Sequence, residues 1–259
     1  MAGMDPRDTF DTVADLYGEV RKGYPAALFD DLEALAGLGP SAQVLEVGCG
    51  AGQATGDLAA RAGRVTALDP GPALIDQARA RVPATNVRFV VSGFEGFEAP
   101  PSSFDLVASA QAWHWIAPQV AFAKAADLLR PGGTLAVFGH VPFPPPEPFA
   151  TPFRAAYDRF MPGAWGTPPP QAAYRPDGPF APGFDASGRF GPVTHRAYAW
   201  TWSMDGPTLG KYMRTDSSYR GLPDAVRLAL FDALQAAVEA FGEPCPMPWE
   251  THLYLARRA

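Results

Sequence analysis

Val44-Leu45-Glu46-Val47-Gly48-Cys49-Gly50-Ala51-Gly52-Gln53 decides the reading of this chain. A short apolar strand runs into three alternating glycines and then into a segment with helical character. Glycine lets a backbone take positive φ and approach a ligand with no Cβ in the way, and the next helix offers unpaired N–H groups at its start. A dinucleotide fingerprint, Gly-x-Gly-x-x-Gly, needs its last glycine at position 53, where Gln53 stands. The pattern here is Glu-x-Gly-x-Gly-x-Gly, which favours S-adenosylmethionine over NAD.

The sequence around this turn alternates strands with helices. Arg64–Leu68 reads as a second strand ending at Asp69, placed where a βαβ unit delivers a carboxylate to ribose hydroxyls. Residues 72–81 carry apolar side chains at helical spacing, and Val87–Val91 forms a third strand that breaks before Phe94. Phe104–Ser109 is a fourth strand opening into Gln111 and Trp113-His114-Trp115. A helix over about 118–129 and the turn Arg130-Pro131-Gly132-Gly133 lead into a fifth strand, Thr134–Phe138. Parallel neighbours require crossovers, so these elements imply an α/β fold with a doubly wound, mostly parallel sheet.

Taken together, Leu45–Gly52, Asp69, Phe104–Val107, Trp113–Trp115 and Leu129–Gly133 resemble the class I S-adenosylmethionine-dependent methyltransferases. The stretch Phe10-Asp11 … Tyr17 … Arg21-Lys22-Gly23-Tyr24-Pro25 is similar to the small-molecule branch that includes trans-aconitate methyltransferase-like enzymes. The resemblance implies a Rossmann-like sheet of seven strands, the last two near 192–204 and 247–257. It implies that Gly48, Gly50 and Gly52 line the methionine moiety, with Gln53 beside them, while Glu46 orients the amino-acid end, Asp69 binds the ribose and Phe94 flanks the adenine. The acid that the family often carries just before Phe94 is replaced by Gly93, with Glu95 as a substitute.

For the chemistry, His114 and His140 follow the fourth and fifth strands and are the candidate general bases; His114 has a purely structural alternative. Gln111 is placed to point its amide into the crevice. Tyr17 and Arg21 belong to an N-terminal helix and its exit, and Arg21 suits a carboxylate of cofactor or substrate. His195 and His252 fall on late strands as structural residues. The function expected is methyl transfer to an O or N nucleophile of a small, aromatic or carboxylate-bearing molecule. A non-catalytic binding or regulatory protein of the same fold and an NAD-dependent oxidoreductase are the alternatives.

The 259 residues are read as one domain: a helical cap over 1–40, a cofactor-binding core over 41–140, a substrate-side insertion over 141–191, and strands with a helix over 192–259. Nearly half of the 29 prolines fall in that insertion, interleaved with aromatics, which suits a folded roof better than a disordered linker. Leu222–Phe241 reads as a helix covering the sheet. A net charge of −6 argues against a nucleic-acid partner. The sequence shows neither a membrane-length apolar run nor a secretory signal pattern, so a cytoplasmic location is expected. Cys49 and Cys245 are not expected to pair, and no Cys/His spacing suggests a metal. Oligomeric state is open.

Overall fold

A computed structural model describes residues 14–219 and 221–259. Phe10–Val13 of the resembling stretch therefore lie outside the described residues, as does the side chain of Tyr17. The chain divides into two compact units. One comprises residues up to His140, Ala173–Tyr198 and Thr251–Ala259; the other comprises Val141–Ala172 and Ala199–Glu250. The expected insertion, 141–191, is thus shared between them.

The elements run α1 (Ala14–Val20), α2 (Ala26–Ala36), β1 (Gln43–Val47), α3 (Thr55–Arg61), β2 (Arg64–Asp69), α4 (Pro72–Arg81), β3 (Val87–Val91) and β4 (Phe104–Ala110). They continue with α5 (Pro118–Leu128), β5 (Leu129–Pro142), α6 (Ala150–Phe160), α7 (Phe180–Ser187), β6 (Thr194–Met204), α8 (Gly206–Thr215), α9 (Asp224–Phe241) and β7 (Cys245–Arg257). The seven strands form one sheet in the order β3-β2-β1-β4-β5-β7-β6.

β1 is central, pairing in parallel with β2 through Val44 and Val65 and with β4 through Val44 and Leu106. A strand buried on both faces reads as a continuous apolar run, and Val44, Leu45 and Val47 obey this. Glu46 breaks it while remaining completely buried. α4 and α5 each place proline in the first turn, where its missing N–H costs nothing. α4 turns Leu74, Ile75 and Ala78 inward. Ile75 joins Leu28, Phe29 and Leu32 of α2 and Val44 of β1 in one core cluster.

The turn Arg130–Gly133 takes an unexpected form. β4 and β5 pair at Phe104 and Leu129, then resume at Leu106 and Thr134, so the turn is looped out within β5. Asp105 stands at this break. Its carboxylate accepts from the Gln43 N–H at 2.8 Å and from the Arg130 guanidinium at 2.6 Å, tying β1, β4 and the loop together.

The second unit is built from α6, α8 and α9. Leu230, Phe231, Leu234 and Val238 form the buried stripe of α9, and this helix packs on α6 and α8. Asp205 caps α8 by accepting from the Thr208 N–H at 2.8 Å. Trp202 and Tyr212 pack edge to face, 5.6 Å apart, and Trp249 joins them.

Candidate functional site

At the carboxyl ends of β1, β2 and β4 lies a cleft with about 730 Å³ of empty space. Gly48 and Gly50, from the turn after β1, form one wall. Gly48 has φ of 72°, and a Cβ there would lie 2.2 Å from the Ala112 Cβ, so only glycine allows the turn to pass the end of β4. Gly52 performs a different task from the one expected. A Cβ at this position would meet Ala78 and Val82, so Gly52 lets the turn pack on α4 and does not line the cleft.

Asp69 ends β2 and reaches the cleft with both oxygens already in use. Oδ2 accepts from the Gly50 N–H and Oδ1 from the Gly71 N–H, each at 2.9 Å. The carboxylate thus fixes the glycine turn on one side and the start of α4 on the other.

Glu46 lies beneath the turn and not on the cleft wall. Neither of its oxygens completes a hydrogen bond, and the Gln53 amide nitrogen and Thr55 hydroxyl are likewise buried without partners. Burial raises the Glu46 carboxyl to about 7; the adjacent Thr55 hydroxyl opposes this and the charge of Asp69 adds to it. A buried acid on a central strand is costly unless something compensates it. Acceptors and donors left open under a glycine turn fit the ammonium and carboxylate of an amino-acid ligand.

Phe94 lines the cleft, packs against Trp113 at 5.9 Å and carries the Lys124 ammonium 5.5 Å from its ring centre. The side chain of Glu95 also lines the cleft, beside Gly93. Gln111 also lines the cleft, at φ of 58°, uncommon for a residue with a side chain. Its amide is engaged with the end of β5: Oε1 accepts from the His140 N–H at 2.6 Å and Nε2 donates to the His140 carbonyl at 3.3 Å. The amide expected to point into the crevice is therefore committed to the backbone.

His114 sits on a short 3₁₀ turn, Trp113–Trp115, next to Ala112 and Trp115, which line the cleft while His114 itself does not. Its Nδ1 is 3.4 Å from the Tyr174 hydroxyl, and burial lowers its pKa to about 4, leaving the imidazole neutral. His140 is also absent from the cleft wall. Its ring stacks on Tyr24 at 4.3 Å, and Nδ1 lies 2.8 Å from the Thr251 hydroxyl. Burial, aided by the charge of Arg21, lowers His140 to about 3, while backbone groups of Gly23 and Lys22 oppose the shift. Arg21, just beyond α1, is thus placed near His140. His195 and His252 face each other, Nε2 to Nδ1, at 3.0 Å.

Sequence reasoning missed Trp115, Ile116 and Ser92 as cleft residues. The Trp-His-Trp segment was a usable signal, but the tryptophan, not the histidine, forms the wall. Tyr174 was also missed: it comes from the proline-rich stretch, and its backbone carbonyl accepts from the Tyr254 hydroxyl at 3.0 Å.

The family model described as methyltransferase domain matches residues 45–137. This span contains the glycine turn, Asp69 and the cleft walls. An uncharacterized methyltransferase of Mycobacterium tuberculosis is 36% identical over 127 residues, covering 49% of this chain and 50% of that protein. A malonyl-[acyl-carrier protein] O-methyltransferase of Paenibacillus is 33% identical over 131 residues, covering 47% and 48%. The chain spans about half the length of the curated relatives it matches. Among solved structures, a candidate type II methyltransferase from Anaeromyxobacter dehalogenans superposes with a TM-score of 0.61 at 27% identity, covering 92% of this chain and 97% of that one. The YcgJ protein of Bacillus subtilis, at 15% identity and a TM-score of 0.55, shares the fold. Among the described residues no helix is long and apolar enough to cross a membrane.

Proposed function

We propose that this protein transfers a methyl group from S-adenosylmethionine to an oxygen or nitrogen nucleophile of a small molecule. The observation that carries the reading is the arrangement of Glu46 under the glycine turn and Asp69 beside it. Glu46, Gln53 and Thr55 suit the amino-acid end of the cofactor, Asp69 suits the ribose, and Phe94 with Trp115 offers flat surfaces for the adenine. When bound, S-adenosylmethionine supplies an electrophilic methyl group on a good leaving group. The protein then has to align the nucleophile and exclude water.

His114, adjacent to cleft-lining Trp115 but not on that wall itself, is the proposed base where a nucleophile brought in beside the cofactor cleft must lose a proton. For Nε2 to accept it, Nδ1 must carry the ring hydrogen and donate to the Tyr174 hydroxyl, a tautomer that the 3.4 Å contact permits. His140, stacked on Tyr24 and turned to Thr251, is better suited to positioning Gln111 through its backbone than to the chemistry. The narrower likeness to trans-aconitate methyltransferase-like enzymes supports an acidic or aromatic substrate, with Arg21 as the residue suited to a carboxylate.

Calorimetric titration with S-adenosylhomocysteine and, separately, NADH tests the cofactor. Micromolar binding of the former alone is expected; binding of NADH instead would return the chain to the oxidoreductases. Binding without methyl transfer to any member of a broad panel of labelled-methyl acceptors would favour the regulatory alternative.

A further inference from the structure

The second unit holds a polar cluster that methyl transfer does not use. Asp216, which follows α8, is 5% exposed; its Oδ2 accepts from the Tyr212 hydroxyl at 3.0 Å and from the Gln171 amide at 3.2 Å, and its Oδ1 from the Ser218 N–H at 2.9 Å. Since a carboxylate only accepts, Gln171 must turn its nitrogen to Asp216. That leaves Gln171 Oε1 buried with no donor. Beside this group the hydroxyls of Tyr157 and Tyr219 lie 2.5 Å apart, and the field of Asp216 reaches both. One phenol donates to the other, so the accepting phenol has a proton still to give.

We propose that Gln171, Tyr157 and Tyr219 form a binding site in the second unit for a neutral hydroxyl group carried on a flat, apolar body. A hydroxyl both donates and accepts, which matches the open acceptor on Gln171 and the open donor of the tyrosine pair. A carboxylate would leave Gln171 unmet and place a second negative charge near buried Asp216. An ammonium only donates and would leave the phenol unmet. Burial raises the pKa of both phenols, which keeps them protonated as donors. Trp165, 5.5 Å from Tyr157 and partly exposed like it, supplies a flat face for the body of the ligand. Leaving a buried acceptor unsatisfied is costly, and a ligand hydroxyl would recover that cost.

The test uses the full chain and three probes that share one ring: benzyl alcohol, benzylamine and benzoate, titrated by saturation-transfer difference NMR. Benzyl alcohol is expected to bind saturably and at least tenfold more tightly than benzoate or benzylamine. Tyr157→Phe and Gln171→Met should each weaken it fivefold or more while retaining native circular dichroism and S-adenosylhomocysteine binding. Absence of saturable alcohol binding, a preference for benzoate or benzylamine, or unchanged affinity in folded variants overturns the proposal. The probe ranking on the unaltered chain decides the matter if a variant fails to fold. The S-adenosylhomocysteine titration reads the first unit separately, so failure of this site is distinct from failure of the cofactor reading.

Discussion

The carboxylate of Asp69 accepts from the backbone N–H of Gly50 at 2.9 Å, so the end of β2 holds the turn that follows β1 in shape. Its other oxygen holds Gly71 at the start of α4. Asp69→Ala removes both bonds together with any contact to ribose. Hydrogen bonds to charged groups contribute roughly 1.5–3 kcal/mol each, so the variant should lose stability as well as bind S-adenosylhomocysteine at least tenfold more weakly. Calorimetry alongside thermal denaturation checks both effects, and unchanged affinity removes the ribose assignment.

Gly48→Ala drives a methyl group against Ala112, 2.2 Å away, at a residue with positive φ. Loss of S-adenosylhomocysteine binding is expected, with the β1 turn displaced in a crystal structure. Wild-type affinity in this variant would show that the turn does not seat the cofactor. Gly52→Ala should instead act through stability, since its neighbours belong to α4 and not to the cleft.

Glu46 predicts a pH dependence with a definite sign. Burial raises its carboxyl in the fold from 4.5 to about 7, so the folded chain holds this proton more tightly than the unfolded chain. The contribution to stability is full below about pH 4.5 and is lost as pH rises through about 7, a change on the order of 3 kcal/mol. Glu46→Gln should flatten that slope in denaturation midpoints measured from pH 5 to 8. A cofactor ammonium favours the ionised acid, so S-adenosylhomocysteine affinity should rise with pH over the same range and binding should release a proton. Titrations in buffers of different ionisation enthalpy measure that release.

His114 separates turnover from binding. Burial lowers it to about 4, so it is neutral across pH 5.5–8 and its own ionisation places an acid limb on kcat near 4, not near 6.5. His114→Ala should lower kcat by tenfold or more with little change in cofactor affinity. Equal kcat in the variant removes His114 from the chemistry.

The strands of the first unit were legible because their signals are local. Val44–Val47, Arg64–Asp69 and Val87–Val91 are short apolar runs closed by turn residues, and the positions of Gly48, Asp69 and Phe94 follow from where those runs end. What escaped depends on residues far apart in sequence. The side chain of Gln111 turns to His140, 29 positions away, and Tyr174 meets His114 across 60. No periodicity encodes such pairings. The stripe of α9 announced a helix with one apolar face but not that α6 and α8 would pack against the helix. The burial of Asp216 arises only once Gln171 and Tyr212 close on it.

The clasp between Gln111 and the backbone of His140 bears on how an inhibitor should be shaped. Each polar atom of that amide already spends one hydrogen bond on the backbone of His140, so a compound reaching this wall meets at most one further N–H and one further lone pair, both held in a fixed direction. Selective compounds should match that fixed direction at Gln111 with a single polar group and keep their hydrogen-bond donors for the carboxylates of Asp69 and Glu95, which line the same cleft.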